Sequence, residues 1–193
     1  MLPEEKKQYY TVDEYFALEE TAEYRSEYYQ GEIFALAGGS ANHNRIAGNV
    51  FVALSNALRA KPCEAFVSDL RLWVKQVGLY TYPDVMVVCG GLEFAHERTD
   101  TITNPTVIFE VLSPSTENYD RGKKFEFYRT LETLKEYVLI DQERIHVEHY
   151  RLLEEGRWLL TVFDDEAGTL TLESIGIEIP VSDMYERVDW EAR

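Results

Sequence analysis

Positive charge is what this 193-residue chain has least of: 19 Lys and Arg stand against 35 Asp and Glu, a net charge of −16. Proteins that dock on duplex DNA draw much of their affinity from neutralised phosphates and released counterions, so this balance counts against a broad basic face. It leaves room for a local basic patch, or for an acidic site that a bound cation neutralises. Long apolar runs are also missing. No segment approaches the roughly 18 residues of a membrane span, and Met1–Gln8 is polar instead of basic-then-apolar. The expectation is therefore a cytoplasmic protein with no secretory signal and no membrane partner. Cysteine is nearly absent. Cys63 and Cys89 form no CxxC pair, which favours two buried, reduced thiols over a disulfide framework. The histidines, His43, His96, His146 and His149, are scattered. His146 and His149 lie three apart in an expected strand and so face opposite sides, which argues against zinc. No internal repeat or low-complexity stretch is present.

What is there fits one domain over residues 1–193, long enough to bury a core without staples. Thr11 with Glu14 three residues on is a capping box, and it predicts a helix over 11–20. Tyr28 to Phe34 reads as a hairpin turning at Gln30-Gly31. Ile46, Val50, Leu54 and Leu58 form an i, i+4 stripe, widened by Ala47, Phe51 and Ala57. A helix over 42–58 follows, capped by Ser40 or Asn42 and ended by Lys61-Pro62. Glu64 to Lys75 alternates as one long strand with a bulge near Asp69. Tyr80 to Val88 and Thr106 to Leu112 are apolar enough for central strands. Asp120 is read as the cap of a helix reaching Thr130, and Tyr137-Val138-Leu139-Ile140 as a further core strand. Residues 145–152, 158–163 and 169–172 read as antiparallel strands joined by Glu154-Glu155-Gly156 and Glu166-Ala167-Gly168. The tail over 181–188 reads as a helical turn. The sum is an α/β sandwich around a mixed sheet.

Two central strands each carry one acid where a core strand prefers none: Asp84 after Pro83, and Glu110 within Val107-Ile108-Phe109-Glu110-Val111-Leu112. A carboxylate in an apolar strand costs several kcal/mol unless a cation, a metal or water meets it. If the two strands are neighbours, Asp84 and Glu110 converge on one hard divalent cation such as Mg²⁺, which takes one or two carboxylates and keeps several waters. Such an ion activates water and polarises a phosphoryl oxygen, and a nearby lysine stabilises the developing charge. The segment that follows supplies Arg121, Lys123, Lys124 and Arg129 against Glu126 alone. Ser113-Pro114-Ser115-Thr116 lacks the glycines of a nucleophile elbow and reads as a turn shaping the site.

The runs Tyr82-Pro83-Asp84-Val85, Phe109-Glu110-Val111-Leu112-Ser113-Pro114-Ser115-Thr116, Tyr119-Asp120-Arg121-Gly122-Lys123-Lys124-Phe125 with Tyr128, and Glu136-Tyr137-Val138-Leu139 resemble the PD-(D/E)XK nuclease superfamily. More closely they resemble its widespread bacterial restriction-endonuclease-like family, and Gly31-Glu32 and His43 fit the upstream part of that pattern. The resemblance covers about Thr11 to Val188. It implies a restriction-endonuclease-like αβββαβ core, with an N-terminal helix and hairpin before it and antiparallel strands after it. It also implies a Mg²⁺- or Mn²⁺-dependent endonuclease with DNA as substrate, Asp84 and Glu110 as metal ligands and Lys124 as catalytic lysine. The general motif puts lysine two residues after the second acid, where this chain has Leu112. The resemblance moves that role to Lys124 on the next helix, with Lys123 pointing about 100° away. The expected first core helix contains no acid, so Glu27, Glu32 or His43 is left to complete the site, and Asp69 is a further acid nearby. Cutting both strands of a duplex suits a homodimer, for which Trp158, Tyr185 and Trp190 are candidate interface residues. The alternative is a non-cleaving nuclease-fold protein that binds or regulates.

Overall fold

The computed structural model describes residues 8–191. Helix α1 (Val12–Glu19) opens on the expected capping box: the Glu14 N–H donates to the Thr11 hydroxyl at 3.2 Å, and the Thr11 N–H donates to the Glu14 carboxylate at 2.7 Å. Hairpin strands β1 (Ser26–Tyr29) and β2 (Glu32–Ala35) turn at Gln30-Gly31. Both turn residues have positive φ, which the primed hairpin turn demands. Helix α2 (Ala41–Ala57) starts at Ser40, whose hydroxyl accepts the His43 N–H at 3.1 Å.

The two long strands expected over 64–75 and 80–88 are each broken in two. The first becomes β3 (Cys63–Val67) and β4 (Arg71–Val74); the second becomes β5 (Leu79–Thr81) and β6 (Val85–Cys89). The halves belong to different sheets. Strands β3 and β6 pair in one, β4 and β5 in the other. Ser68, with φ +54°, makes one crossing, and Tyr82-Pro83-Asp84 makes the other, where Pro83 has no N–H to continue a ladder. Alternating burial continues across such a corner, so periodicity alone cannot locate it.

Strand β7 (Thr101–Ile102) lies parallel to β4 and completes a five-stranded sheet of order β2-β1-β5-β4-β7. The larger sheet adds β8 (Val107–Leu112), β9 (Glu136–Asp141), β10 (Val147–Leu152) and β11 (Trp158–Phe163), in the order β11-β10-β9-β8-β6-β3. Its β8–β9 pair is parallel and its other pairs antiparallel, so the central sheet is mixed. Between β8 and β9 runs helix α3, made of Glu117–Tyr119, a π-helical turn Asp120–Lys124, and Phe125–Tyr128. Asp120 therefore lies inside the helix and does not cap it. A small hairpin, β12 (Thr169–Leu172) with β13 (Ile177–Pro180), and helix α4 (Val181–Met184) end the fold; β13 carries too short an alternation to stand out in the sequence.

The core alternates along the central strands. Val85, Val87, Phe109, Val111, Val138 and Ile140 pack under α2, the β12–β13 hairpin and α4. Their neighbours Met86, Val88, Ile108, Leu112, Tyr137 and Leu139 pack against α3 and the smaller sheet. The expectation of two reduced thiols is not met. Cys63 and Cys89 are register partners across β3 and β6 and are bonded to each other, because antiparallel pairing brings their Cα atoms to 4.0 Å. His146 and His149 do face apart. His149 bonds the buried Glu136, whereas His146 meets Asp164 and Glu148. Two of the candidate interface aromatics are used inside the fold: Trp158 packs edge-on against Phe125 at 5.2 Å, and the Tyr185 hydroxyl bonds the His146 backbone at 3.0 Å. Among the described residues no helix is long and apolar enough to cross a membrane.

Leu54 is fully buried on the face of α2 that covers the sheet. Leu54→Ala is expected to lower unfolding free energy by about 2–5 kcal/mol, read as a lower urea midpoint at unchanged slope.

Candidate active site

The corner at Pro83 decides where the first acid goes. Asp84 is the last residue before β6, and the register Val85↔Phe109 sets it beside Glu110 on β8. The Val111 N–H donates to Asp84 Oδ2 at 2.7 Å, and the Asp84 N–H points at Glu110 Oε2 across 3.4 Å. Glu110 alternates with Phe109 and Val111, so it leaves the sheet on the α3 side and is only 4% exposed.

Helix α3 answers it with a cation. Within the π-helical turn, Asp120 and Lys124 both face inward. The Lys124 Nζ lies 2.9 Å from Glu110 Oε1, 3.4 Å from Asp120 Oδ1 and 3.5 Å from Glu27 Oε1. The Tyr128 hydroxyl, one turn on, donates to Glu110 Oε1 at 2.8 Å. Glu27, from β1, is buried and held by the Thr81 hydroxyl and by the Tyr119 hydroxyl at 3.1 Å. From the other side, His43 in the first turn of α2 brings Nε2 to 3.3 Å from Asp84 Oδ2. Gly39 allows this: a Cβ there would lie 2.6 Å from His43 Nδ1. Glu27, His43, Asp84, Glu110, Asp120 and Lys124 line one cavity of about 740 Å³ between the β1–β2 hairpin, the start of α2 and α3.

A family model described as "Uma2: Putative restriction endonuclease" matches residues 12–182. The chain belongs to the Uma2 family. Two relatives from Synechocystis sp., the uncharacterized proteins sll1609 and slr1290, are similar to it. The first is 46% identical over 151 residues, 78% of this chain and 85% of its own. The second is 36% identical over 173 residues, 90% of each. Among solved structures, a "putative nuclease belonging to DUF820" from Anabaena variabilis shares the fold with a TM-score of 0.75 at 21% identity, over 91% of this chain and 97% of that one. The restriction-endonuclease-like reading of the sequence is thereby shown for family and fold.

Within this Uma2 site the residues singled out from sequence separate. Asp84, Glu110, Lys124 and His43 come together. Glu32 does not line the cavity; it sits at the turn end of β2 across from Tyr29, whereas Glu27 lines it. Lys123 lines the cavity but is half-exposed and pairs with Glu126 at 3.0 Å. Asp69 is exposed at the cavity rim and pairs with Arg25 at 3.2 Å. Leu112, where the general motif has lysine, is buried against the α3 side. The expected basic patch is largely neutralised, since Arg121 pairs with Glu117 and Glu148. Sequence reasoning assigned Asp120 to a cap and missed its place under Lys124. The i, i+4 spacing of Asp120, Lys124 and Tyr128 was the available signal, and the π-helical turn concealed its exact phase.

The donor set fits a hydrated hard cation. Among the described residues no three His, Cys, Asp or Glu side chains form a ready metal cage. Two carboxylates do converge, the number a Mg²⁺ ion takes while keeping its waters. Electrostatics agree. Burial drives the Glu110 carboxyl up, Lys124 pulls it down, and Asp84 and Asp120 drive it up again, leaving it well above the usual carboxylate range. Burial disfavours the Lys124 ammonium, but Glu110, Tyr128, Glu27 and Asp120 outweigh it, so Lys124 stays protonated. Burial also works against the His43 imidazolium, and its hydrogen bond to Asp84 with the charges of Asp84, Glu110 and Asp120 raises it above its ordinary value.

A raised folded-state carboxyl binds its proton more tightly folded than unfolded. Metal-free stability should therefore fall as pH rises from about 4.3 through the raised Glu110 value. Melting temperature measured against pH in EDTA should show this slope, and Glu110→Gln should flatten it.

Proposed function

We propose that the chain is a metal-dependent endonuclease that hydrolyses phosphodiester bonds of DNA. The observation that carries this reading is the convergence of Asp84 and Glu110 with the Lys124 ammonium 2.9 Å from Glu110, and membership of the Uma2 family supports it. Asp84 and Glu110 would hold Mg²⁺ or Mn²⁺, which when bound polarises a phosphoryl oxygen and lowers the pKa of an attacking water. Water adds at phosphorus, one P–O bond breaks, and the products are a phosphate end and a hydroxyl end. Lys124 presents its protons to the negative charge that grows on the phosphoryl oxygens. Tyr128 fixes Glu110 by occupying Oε1, which leaves Oε2 for the metal side. His43 fixes Asp84 in the same way at Oδ2. Glu27 and Asp120 hold the Lys124 ammonium in place.

The working unit in this reading is one domain over residues 1–193 in a cytoplasmic homodimer, a reducing setting in which the Cys63–Cys89 pair would stand as two thiols. Strand β11, one edge of the central sheet, supports the dimer: it runs Trp158 to Phe163 without a charge and exposes Leu159, Leu160 and Val162. In a strongly acidic chain, an uncharged edge is where two copies approach with least repulsion.

A second reading, a nuclease fold that binds without cutting, is favoured by one fact. Each cation lining the cavity, Arg25, Lys123 and Lys124, already has a carboxylate partner. Assays on single- and double-stranded DNA in Mg²⁺ or Mn²⁺ separate the two. Cleavage that EDTA stops is expected, with Asp84→Asn, Glu110→Gln and Lys124→Met each lowering kcat by roughly 10²–10³-fold. Failure to cut any DNA with either ion, together with Mn²⁺ titrations showing no binding that depends on Asp84 and Glu110, would leave only the second reading.

A further inference from the structure

Register places an aromatic ring next to the buried charges. Phe34 on β2 lies directly across from Glu27 on β1, and side chains of directly paired residues leave a sheet on the same face. Phe34 therefore projects on the side where Glu27 holds Lys124. It lines the same cavity, yet it is 47% exposed and makes no contribution to the core. Tyr29, two residues beyond Glu27 and on its face, packs against Phe127 of α3 with ring centroids 4.9 Å apart, and Tyr82 closes another wall. The reactive groups lie at the bottom of this pocket, where Glu110 is 4% and Lys124 6% exposed.

A duplex has difficulty with such a site on two counts. Its stiffness keeps the backbone on a smooth helical path, and dipping one phosphate toward recessed carboxylates costs a bend that a flexible single strand does not meet. Its phosphates, at about twice the linear charge density of a single strand, also need the larger cationic face. Here the net charge is −16, Arg25 and Lys123 are tied to Asp69 and Glu126, and Lys124 is committed inside. A ring exposed at the mouth of an otherwise acidic pocket offers what a single strand uses, a stacking surface for a base without sequence preference.

We propose that the cavity receives unpaired DNA, with a base stacked on Phe34 while the neighbouring phosphate enters toward Asp84, Glu110 and Lys124. The proposal rests on the nuclease reading of that site and names its substrate class: single-stranded or locally melted DNA in preference to intact duplex.

Binding tests it apart from cleavage. A fluorescein-labelled 12-nucleotide strand of mixed sequence, alone and annealed to its complement, is titrated with the full-length Asp84→Asn protein in Mg²⁺ and with the unaltered protein in EDTA, read by anisotropy. The single strand is expected to bind at least tenfold tighter than the duplex. Phe34→Ala added to either background is expected to weaken single-strand binding about tenfold with little effect on the duplex, and Phe34→Trp to restore it. Phe34 is exposed, so these variants retain the fold. Equal or tighter duplex binding, no binding of the single strand, or single-strand binding indifferent to Phe34→Ala would overturn the proposal. If the unaltered enzyme cuts duplex and single strand alike, the nuclease reading stands and this inference fails. If it cuts nothing in Mg²⁺ or Mn²⁺ but binds the single strand through Phe34, the cavity's ligand stands and the catalytic reading fails.

Discussion

The buried ammonium of Lys124 is the point on which this molecule turns. A lone charge at that depth would cost several kcal/mol, and so would each of the carboxylates around it. Together they are tolerated because each supplies what the others lack: Glu110 from β8, Glu27 from β1 and Asp120 from α3 all lie within 3.5 Å of one nitrogen. Those elements come from the central sheet, the smaller sheet and the helix between strands. The ion cluster therefore fixes how the two sheets and α3 meet, and the meeting forms the cavity. The surplus of acids over this single cation leaves Glu110 short of positive charge, which is the local form of the chain's acidic balance.

The site also depends on two corners. At Ser68 and at Pro83 the chain leaves one sheet for the other, and Ser68, Tyr82 and Asp84 at those corners line the cavity. Asp84 sits on the second corner, half-buried, with one oxygen, Oδ2, taking both the Val111 N–H and the His43 ring. A second buried network steadies the smaller sheet from behind: Arg71 donates to the Tyr82 hydroxyl at 2.8 Å, and that hydroxyl donates to Glu19 of α1 at 2.7 Å. Since Tyr82 also lines the cavity, α1 is coupled to its wall without touching the reactive groups.

Local rules were legible where one residue pattern serves one partner. The capping box at Thr11 and Glu14, the Gln30-Gly31 turn, the apolar stripe of α2 and the apolar runs of β8 and β9 all appear where the sequence places them. The long strands over 64–75 and 80–88 were not legible as broken, because both halves bury alternate residues and only a change of partner separates them. The same holds for Cys63 and Cys89, whose 26-residue separation carries no hint of a shared rung.

By itself the sequence determined that two acids stand in apolar strands, that Leu112 holds the place of the usual lysine, and that a lysine follows on the next helix. These are matters of residue identity and short-range period. Tertiary structure alone decided that Glu27 and not Glu32 reaches the cavity, that Asp120 lies beneath Lys124 instead of capping a helix, and that Phe34 stands beside the charges. Each of those depends on which strands pair and in what register. That choice is made by burial summed over the whole sheet, and no single segment encodes it.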